Sequence, residues 1–254
     1  MSDELENPFQ TKVDINSPIP YYQQLKDEIY NVLERGIWQP DDQIPGEAHL
    51  CEMFDVSRIV VRRTLDELEY EGLVKRIKGR GTFITKPKIS EGLAQKLTGF
   101  YQDMVDKGLK PFTNVLRREV VPASPKIAQK LDIEPDTPIF DIERLRFVDD
   151  EPLLLGTNYI PYELCPALLE TDLSTQSLYA FLESEYGLFI TKARRTIEAV
   201  VASQYEASLL NVKEGAALLM LNSVGYLEDG RPIEYFRGLH RGDRSIFEID
   251  LIQE

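Results

Sequence analysis

The chain has 254 residues, 43 % of them hydrophobic, enough to bury real cores and to exclude a wholly disordered chain. At about 150 residues per domain, that length fits one large domain or two ordinary ones. Its 29 Lys and Arg against 43 Asp and Glu leave a formal net charge of −14, which taken whole argues against a nucleic-acid binder.

The longest apolar runs, such as Ala216 to Leu221, fall far below the ~20 residues of a membrane span. Met1 to Gln10 is polar and acidic, without the basic start and apolar stretch of a signal peptide. Cys51 and Cys165 are isolated, and the only histidines are His49 and His240. This spacing predicts reduced thiols in a cytoplasmic protein, with no metal site and no cofactor.

From Pro20 to Arg35, Tyr22, Leu25, Ile29, Val32 and Leu33 recur at three- and four-residue steps, predicting an amphipathic helix that Gly36 stops. Pro45-Gly46-Glu47 opens a short helix through Phe54, with Gly46 as N-cap. After the tight connection at Asp55-Val56, Ser57 caps a third helix running to about Tyr70. In it, Val61, Leu65 and Leu68 form the stripe to be buried, while Arg58 and Arg62 lie one turn apart on another face beside Arg63. Two short strands follow, Leu73 to Ile77 and Thr82 to Thr85, joined at a cationic, Gly-rich tip of Lys78, Gly79, Arg80 and Gly81. Three helices with a short turn before the third, then a hairpin, make a winged helix-turn-helix.

The charge is concentrated accordingly. The 32 residues from Ser57 to Lys88 sum to +5, so the remainder carries −19. Remote acidic charge is largely screened beyond ~8 Å, so this local surface can still attract phosphates; an ordinary solvated face is the alternative.

Tyr22 to Ile84 resembles the DNA-binding domain of GntR-type transcription regulators. The matching residues are Ile44 to Glu47, Leu50, Phe54, Val56 to Arg58, Val61-Arg62, Leu65, Leu68, Glu71 to Leu73 and Gly79 to Phe83. The resemblance implies Arg58 as a bidentate guanine contact, Ser57, Arg62 and Arg63 on phosphates, and Lys78, Gly79, Arg80 and Gly81 as the wing in the minor groove. Ala48 and Val60 depart from the family pattern, so the operator is expected to differ from the usual one.

Lys86 to Gly92 is polar and aperiodic, as in a linker. The expected division is a flexible N-terminus over 1–15, the winged helix-turn-helix over 16–86, a linker over 87–95 and a second domain over 96–254. That second domain repeats itself. Ala128, Leu131, Ile133, Ile139, Ile142, Phe147 and Asp150 match Ala207, Leu210, Val212, Leu218, Leu221, Tyr226 and Asp229, each 79 residues later. Beyond the turn, Pro152 and Leu153 match Pro232 and Ile233 at 80. Each copy reads helix, loop, strand, Asp-containing turn, strand, which predicts one α+β domain with an antiparallel sheet of two related halves. Arg144 and Arg146 stand opposite Ser223 and Gly225 in the repeat, so the scaffold itself does not demand arginine there. Two apart on a strand, they share a face suited to a phosphate or carboxylate; a solvated pair balanced by Asp141 and Glu143 is the alternative.

This half resembles the UTRA ligand-sensing domain of the HutC subfamily of GntR regulators, whose fold is similar to chorismate lyase. The matches run through Leu97 to Phe100, Ile142 to Arg146, Tyr159 to Pro161, Ser177 to Tyr179, Pro232 to Tyr235 and Arg241 to Arg244. The resemblance implies an effector pocket of Gly99, Phe100, Tyr101, Arg144, Arg146, Ser177, Tyr179, Glu234 and His240. Gly156, His240 and Ser245 stand where relatives often carry Glu, Tyr and Tyr, which removes polar reach but leaves the arginines. His240 either meets a ligand carboxylate or is a wall residue. The implied protein is a homodimeric repressor of a carbohydrate-related operon, binding a pseudo-palindromic double-stranded operator under control of a small anionic effector such as a sugar phosphate or organic acid. The rival is a lyase-like enzyme fused to a DNA-binding module; fold alone does not carry that activity, and no GxSxG, HExxH or P-loop is present.

Overall fold

The computed structural model describes residues 8–94 and 97–250. The chain divides into two compact units, Met1–Pro87 and Lys88–Glu254. Part of the segment expected as a linker therefore belongs to the second unit, where Ile89–Ser90 forms a strand.

In the first unit, α1 (Tyr21–Glu34), α2 (Glu47–Phe54) and α3 (Arg58–Tyr70) precede a hairpin of β1 (Val74–Ile77) and β2 (Gly81–Ile84). All five elements fall within a residue or two of their sequence signals. α2 ends at Asp55 in the left-handed region (φ 53°), which a short polar side chain tolerates, and α3 restarts after Ser57. The predicted stripe of Val61, Leu65 and Leu68 is buried against Leu25, Ile29, Leu50 and Phe54. Each such side chain contributes about 1.5–3 kcal/mol relative to exposure. Thr64, also buried, satisfies its hydroxyl by donating to the carbonyls of Tyr22 and Val60.

Of the N-terminus expected to be flexible, residues 1–7 lie outside the described residues; from Phe9 onward it is docked. Phe9 meets Trp38 and Phe54 edge-on, at ring separations of 5.4 and 4.6 Å. Glu28, buried in α1, accepts from the amides of Gln10 and Thr11.

In the second unit, β3 (Ile89–Ser90) pairs in parallel with β10 (Ser245–Ile246). The main body is β4 (Pro111–Pro122), α5 (Pro125–Leu131), β5 (Pro138–Val148) and β6 (Glu151–Pro161), then β7 (Lys192–Val201), α7 (Gln204–Leu210), β8 (Ala217–Tyr226) and β9 (Pro232–Arg241). The predicted duplication is thus a βαββ unit used twice. Even the caps repeat: Ser124 and Ser203 cap α5 and α7, and Asp132 and Asn211 end them in the left-handed region, both at φ 53°.

The six strands order β4-β5-β6-β9-β8-β7 in one antiparallel sheet, the two copies meeting at β6 and β9. There Thr157 faces Arg237, its own equivalent 80 residues on, so the pseudo-twofold axis passes between them. α5 and α7 cover one face of the sheet, packing Leu131 against Ile139 and Leu210 against Leu145 and Leu239. On the other face, α4 (Gly99–Asp106) packs Phe100 and Met104 against Leu154, Leu221 and Phe236, and α6 (Leu178–Tyr186) packs Phe181 and Leu182 against Phe140 and Ile160. A cavity remains between the sheet and these last two helices.

Candidate functional site

The first unit presents a cationic face. Arg58, at the first position of α3, is exposed, as is Ser57 before it. Arg62 is exposed and its Nε lies 2.9 Å from Glu47 Oε2, while Arg63 lays its guanidinium 3.6 Å over the Tyr22 ring. The hairpin tip, Lys78 to Gly81, is fully exposed. Gly79 (φ 75°) and Gly81 (φ 122°) hold backbone conformations that disfavour side chains, and a Cβ on Gly81 would collide with Gln43, whose amide donates to the Arg80 carbonyl at 3.0 Å. Helix start and tip together offer exposed cations and backbone amides suited to phosphates and base edges.

Two features were not visible from charge counting. Arg76 is spent internally on Asp66 and Glu69, whose hydrogen bonds hold its proton above the usual range against burial. Ile59, between Arg58 and Arg62, is 80 % exposed. An unpartnered aliphatic group on this face fits contact with a thymine methyl, and its place between the arginines was the available signal.

In the second unit, a pocket opens between sheet and helices, with about 550 Å3 of empty space, part of it open to solvent. β5 brings Arg144 and Arg146 to its wall, since residues two apart share a face, while Leu145 turns to the opposite core. Both arginines are buried, 3 % and 7 % exposed, so the solvated-pair alternative fails; Asp141 and Glu143 pair with Arg117 instead. Arg144 Nη2 donates to Asn158 Oδ1 at 2.6 Å, and its buried Nε has no partner among the described residues. Arg146 sits 5.4 and 5.5 Å from the ring centres of Phe100 and Phe236. Burial, and for Arg144 the neighbouring Arg146, destabilises the charged forms: Arg144 is held well below the usual range and Arg146 falls to about 10. Arg146 therefore remains a cation at neutral pH, and neither arginine has a carboxylate in ion-pair contact among the described residues.

The start of α4 brings Gly99, Phe100 and Tyr101 to the cavity, and the start of α6 brings Ser177 and Tyr179. Gly99 has φ +72°, and its missing side chain lets the Tyr179 ring come within 3.4 Å of the Cβ position. Ser177 caps α6, accepting from the Ala180 amide. Two helix N-termini with orphan amides thus face the same space as the arginines, an arrangement favourable to anions. Glu234 stands behind the wall rather than in it. Its Oε1 accepts from the Asn158 amide and its Oε2 from the Tyr179 hydroxyl at 2.6 Å; burial and that carboxylate hold the phenol proton well above its ordinary range.

His240 does not line the cavity. It is fully buried, with Nδ1 2.8 Å from the equally buried Glu91 Oε1 and its ring edge-on to Phe247. Ser245 is buried in β10, away from the arginines. Gly156 has a local reason for being glycine: Phe236 from β9 occupies the space where its side chain would stand.

The wall also contains Thr113, Asn158, Arg195, Ser223 and Phe236, which sequence reasoning missed. For two of them the duplication held the signal. Ser223 is the repeat equivalent of Arg144, and Phe236 of Gly156, so positions related by the pseudo-axis converge on one cavity. Arg195, on β7, donates its Nε to Ser223 Oγ at 3.2 Å and its Nη1 to the Leu93 carbonyl; its charged form is disfavoured by burial. Among the described residues there is no cluster of metal-ligating side chains, and no helix is long and apolar enough to cross a membrane.

A winged helix-turn-helix joined to a duplicated α+β unit with a cationic cavity defines a DNA-binding regulator with a ligand-binding domain. The chain belongs to the GntR family of bacterial regulatory proteins: that family's model matches residues 21–84, and the UTRA domain model matches residues 106–245. It is 34 % identical to the HTH-type transcriptional repressor NagR of Bacillus subtilis, over 91 % of this chain and 94 % of that one. It is 30 % identical to the mannosyl-D-glycerate transport/metabolism system repressor MngR of Escherichia coli, over 91 % and 95 %. Among solved structures it is similar to PhnF of Mycobacterium smegmatis, with 28 % identity, a TM-score of 0.65 and coverage of 91 % and 100 %. NagR and MngR are named as repressors, and the chain is a transcriptional regulator too rather than a lyase-like enzyme.

Proposed function

We propose that this regulator is a cytoplasmic, homodimeric repressor of a carbohydrate-related operon, released from its operator when a small anionic effector fills the cavity. The observation that carries the reading is the pair Arg144 and Arg146, buried side by side on one cavity wall with no carboxylate in ion-pair contact among the described residues. A phosphate or carboxylate entering there would supply the missing counter-charge, assisted by Ser177 and Tyr179 and by the two helix N-termini. The names of the relatives, which include a repressor of a mannosyl-D-glycerate system, support a sugar-related operon.

On the DNA side, Arg58 reads a guanine, Ser57, Arg62 and Arg63 hold phosphates, and the tip from Lys78 to Gly81 enters the minor groove. Two copies on a pseudo-palindrome place their recognition helices about one DNA turn apart. The effector weakens operator binding through a coupling of order 1–3 kcal/mol.

Fluorescence anisotropy with DNA from the promoter region of the gene itself tests this. Binding should be sequence-selective and salt-dependent, and sugar phosphates should weaken it while raising the melting temperature of the protein. At a ligand concentration 100 times Kd, the stabilisation is about 2.7 kcal/mol. Absence of selective DNA binding removes the reading.

A further inference from the structure

We propose that Gln43, ahead of α2, is a positioning residue for DNA reading: it fixes the backbone of the hairpin tip so that Arg80 enters the minor groove in one orientation. This deepens the reading of the tip as a minor-groove contact and rests on it.

The two glycines of the tip, Gly79 and Gly81, take φ 75° and 122° on either side of Arg80. A segment of this composition has many backbone states open to it, and ordering it on DNA costs affinity. Two hydrogen bonds remove that freedom at Arg80. Its N–H donates to the Ile77 carbonyl at 2.9 Å, which closes the hairpin. Its carbonyl accepts from Gln43 Nε2 at 3.0 Å, a bond that comes from 37 residues earlier in the chain.

Gln43 is itself anchored. It forms an antiparallel bridge with Phe83. On either side, Ile44 N–H donates to the Thr82 carbonyl and Ile84 N–H to the Asp42 carbonyl, both at 2.9 Å. Ile44 is buried with Leu50 and Val61 in the helical core, so the link through Gln43 ties the tip to the body that holds α3. Gly81 belongs to the same arrangement, because the Gln43 amide occupies the place where a side chain on Gly81 would stand. The Arg80 guanidinium carbon lies 5.8 Å from the ring centre of Phe83, the bridge partner of Gln43. Backbone and side chain of Arg80 are thus both set by the Gln43–Phe83 pair. A loose tip adapts to grooves of differing width. A fixed one matches a single width, and the narrow minor groove of A·T-rich DNA is the one whose negative potential attracts arginine.

Fluorescence anisotropy of the full chain on promoter-region DNA, footprinted to locate the tip, tests this. At the A·T pairs under the tip, G·C places an amino group in the minor groove, whereas I·C does not. The wild type should lose about tenfold on G·C and little on I·C. Gln43→Met keeps length but not the donor. It should bind the A·T operator about fivefold more weakly and show a smaller G·C penalty. In an Arg80→Ala background the same change should cost nothing further, because its effect passes through Arg80. Gln43→Ala should repeat the result and decides should Gln43→Met not fold. Wild-type affinity and an unchanged G·C penalty in a folded Gln43 variant, or an equal loss in the Arg80→Ala background, overturn the proposal. If Arg80→Ala alone leaves the G·C penalty intact, the minor-groove reading of the tip falls, an outcome distinct from an inert Gln43.

Discussion

Phe236 lies across Gly156 on the neighbouring strand, its Cε2 2.7 Å from where a Cβ on Gly156 would stand. The two positions are equivalents in the duplication, 80 residues apart, and the pseudo-axis makes them diagonal neighbours across β6 and β9. One copy supplies the ring and the other the gap. Gly156→Ala should therefore overpack the wall and cost about 1–3 kcal/mol in urea denaturation. In a Phe236→Ala background the same change should cost far less, because the obstacle is gone. A penalty of equal size in both backgrounds would show that the ring is not its source.

Arg146 is a buried cation with no carboxylate in ion-pair contact among the described residues. Burial lowers its pKa from the ordinary guanidinium range to about 10, so the folded state carries a cost of about 3 kcal/mol at neutral pH. The folded pKa is depressed and the group is a base. The cost is therefore fully present below about 10 and is relieved as pH rises above that. Arg146→Met keeps length and apolar contact with Phe100 and Phe236 while deleting the charge. The ligand-free protein should gain about 1–3 kcal/mol in denaturant unfolding and lose its melting-temperature response to sugar phosphates. A destabilised variant that still responds would remove Arg146 from the site.

Much of this architecture was legible because it is local or repeated. Cap and periodicity signals place α1 to α3, the Lys78 to Gly81 tip marks the hairpin, and the 79-residue repeat defines the sheet halves before any pairing is known. Arg144 and Arg146 were legible because the scaffold of the repeat does not need them. Other features depend on packing across the chain. Arg195 reaches the cavity only because β7 follows β8 in the sheet order, and nothing in its own segment announces that. The resemblance places His240 in the pocket, as a ligand contact or as part of the wall, but its ring is turned onto Glu91, a residue 149 positions away. The resemblance implies Glu234 as a hydrogen-bonding partner of the effector, but its oxygens accept from Asn158 and Tyr179.

Arg62 and Ile59 should separate on DNA. Arg62 lies on the exposed face of α3 near Glu47, and as a phosphate contact it releases counterions. Arg62→Ala should weaken binding to operator and unrelated DNA alike, and should reduce the log–log salt slope by about 0.9 per protomer contact. Ile59→Ala removes no charge and should leave that slope unchanged. It should weaken only operators that carry thymine at the contacted position, by about 1 kcal/mol, and replacing that thymine with uracil should reproduce the loss. Matching salt slopes for the two variants would place both residues in the same role.

Glu28 ties the N-terminal segment to α1, and its protonation should loosen that segment. Burial pushes this carboxyl up, but hydrogen bonds from the Thr11 hydroxyl, the Gln10 and Thr11 amides and Asn31 outweigh it and hold the pKa below 4.5. A carboxyl with a depressed folded pKa stabilises above the unfolded value, and the contribution disappears as pH falls through the folded one. The docked segment should therefore hold at pH 7 and detach only below about 4.5. The single tryptophan reports this directly, because Trp38 packs edge-on against Phe9 of the same segment. Its emission should shift red on acidification, before α1 to α3 lose helical circular dichroism. Glu28→Gln should show the shifted emission already at pH 7 and flatten the acid transition. An unshifted Trp38 spectrum in that variant would mean that Phe9 stays docked without the Glu28 anchor.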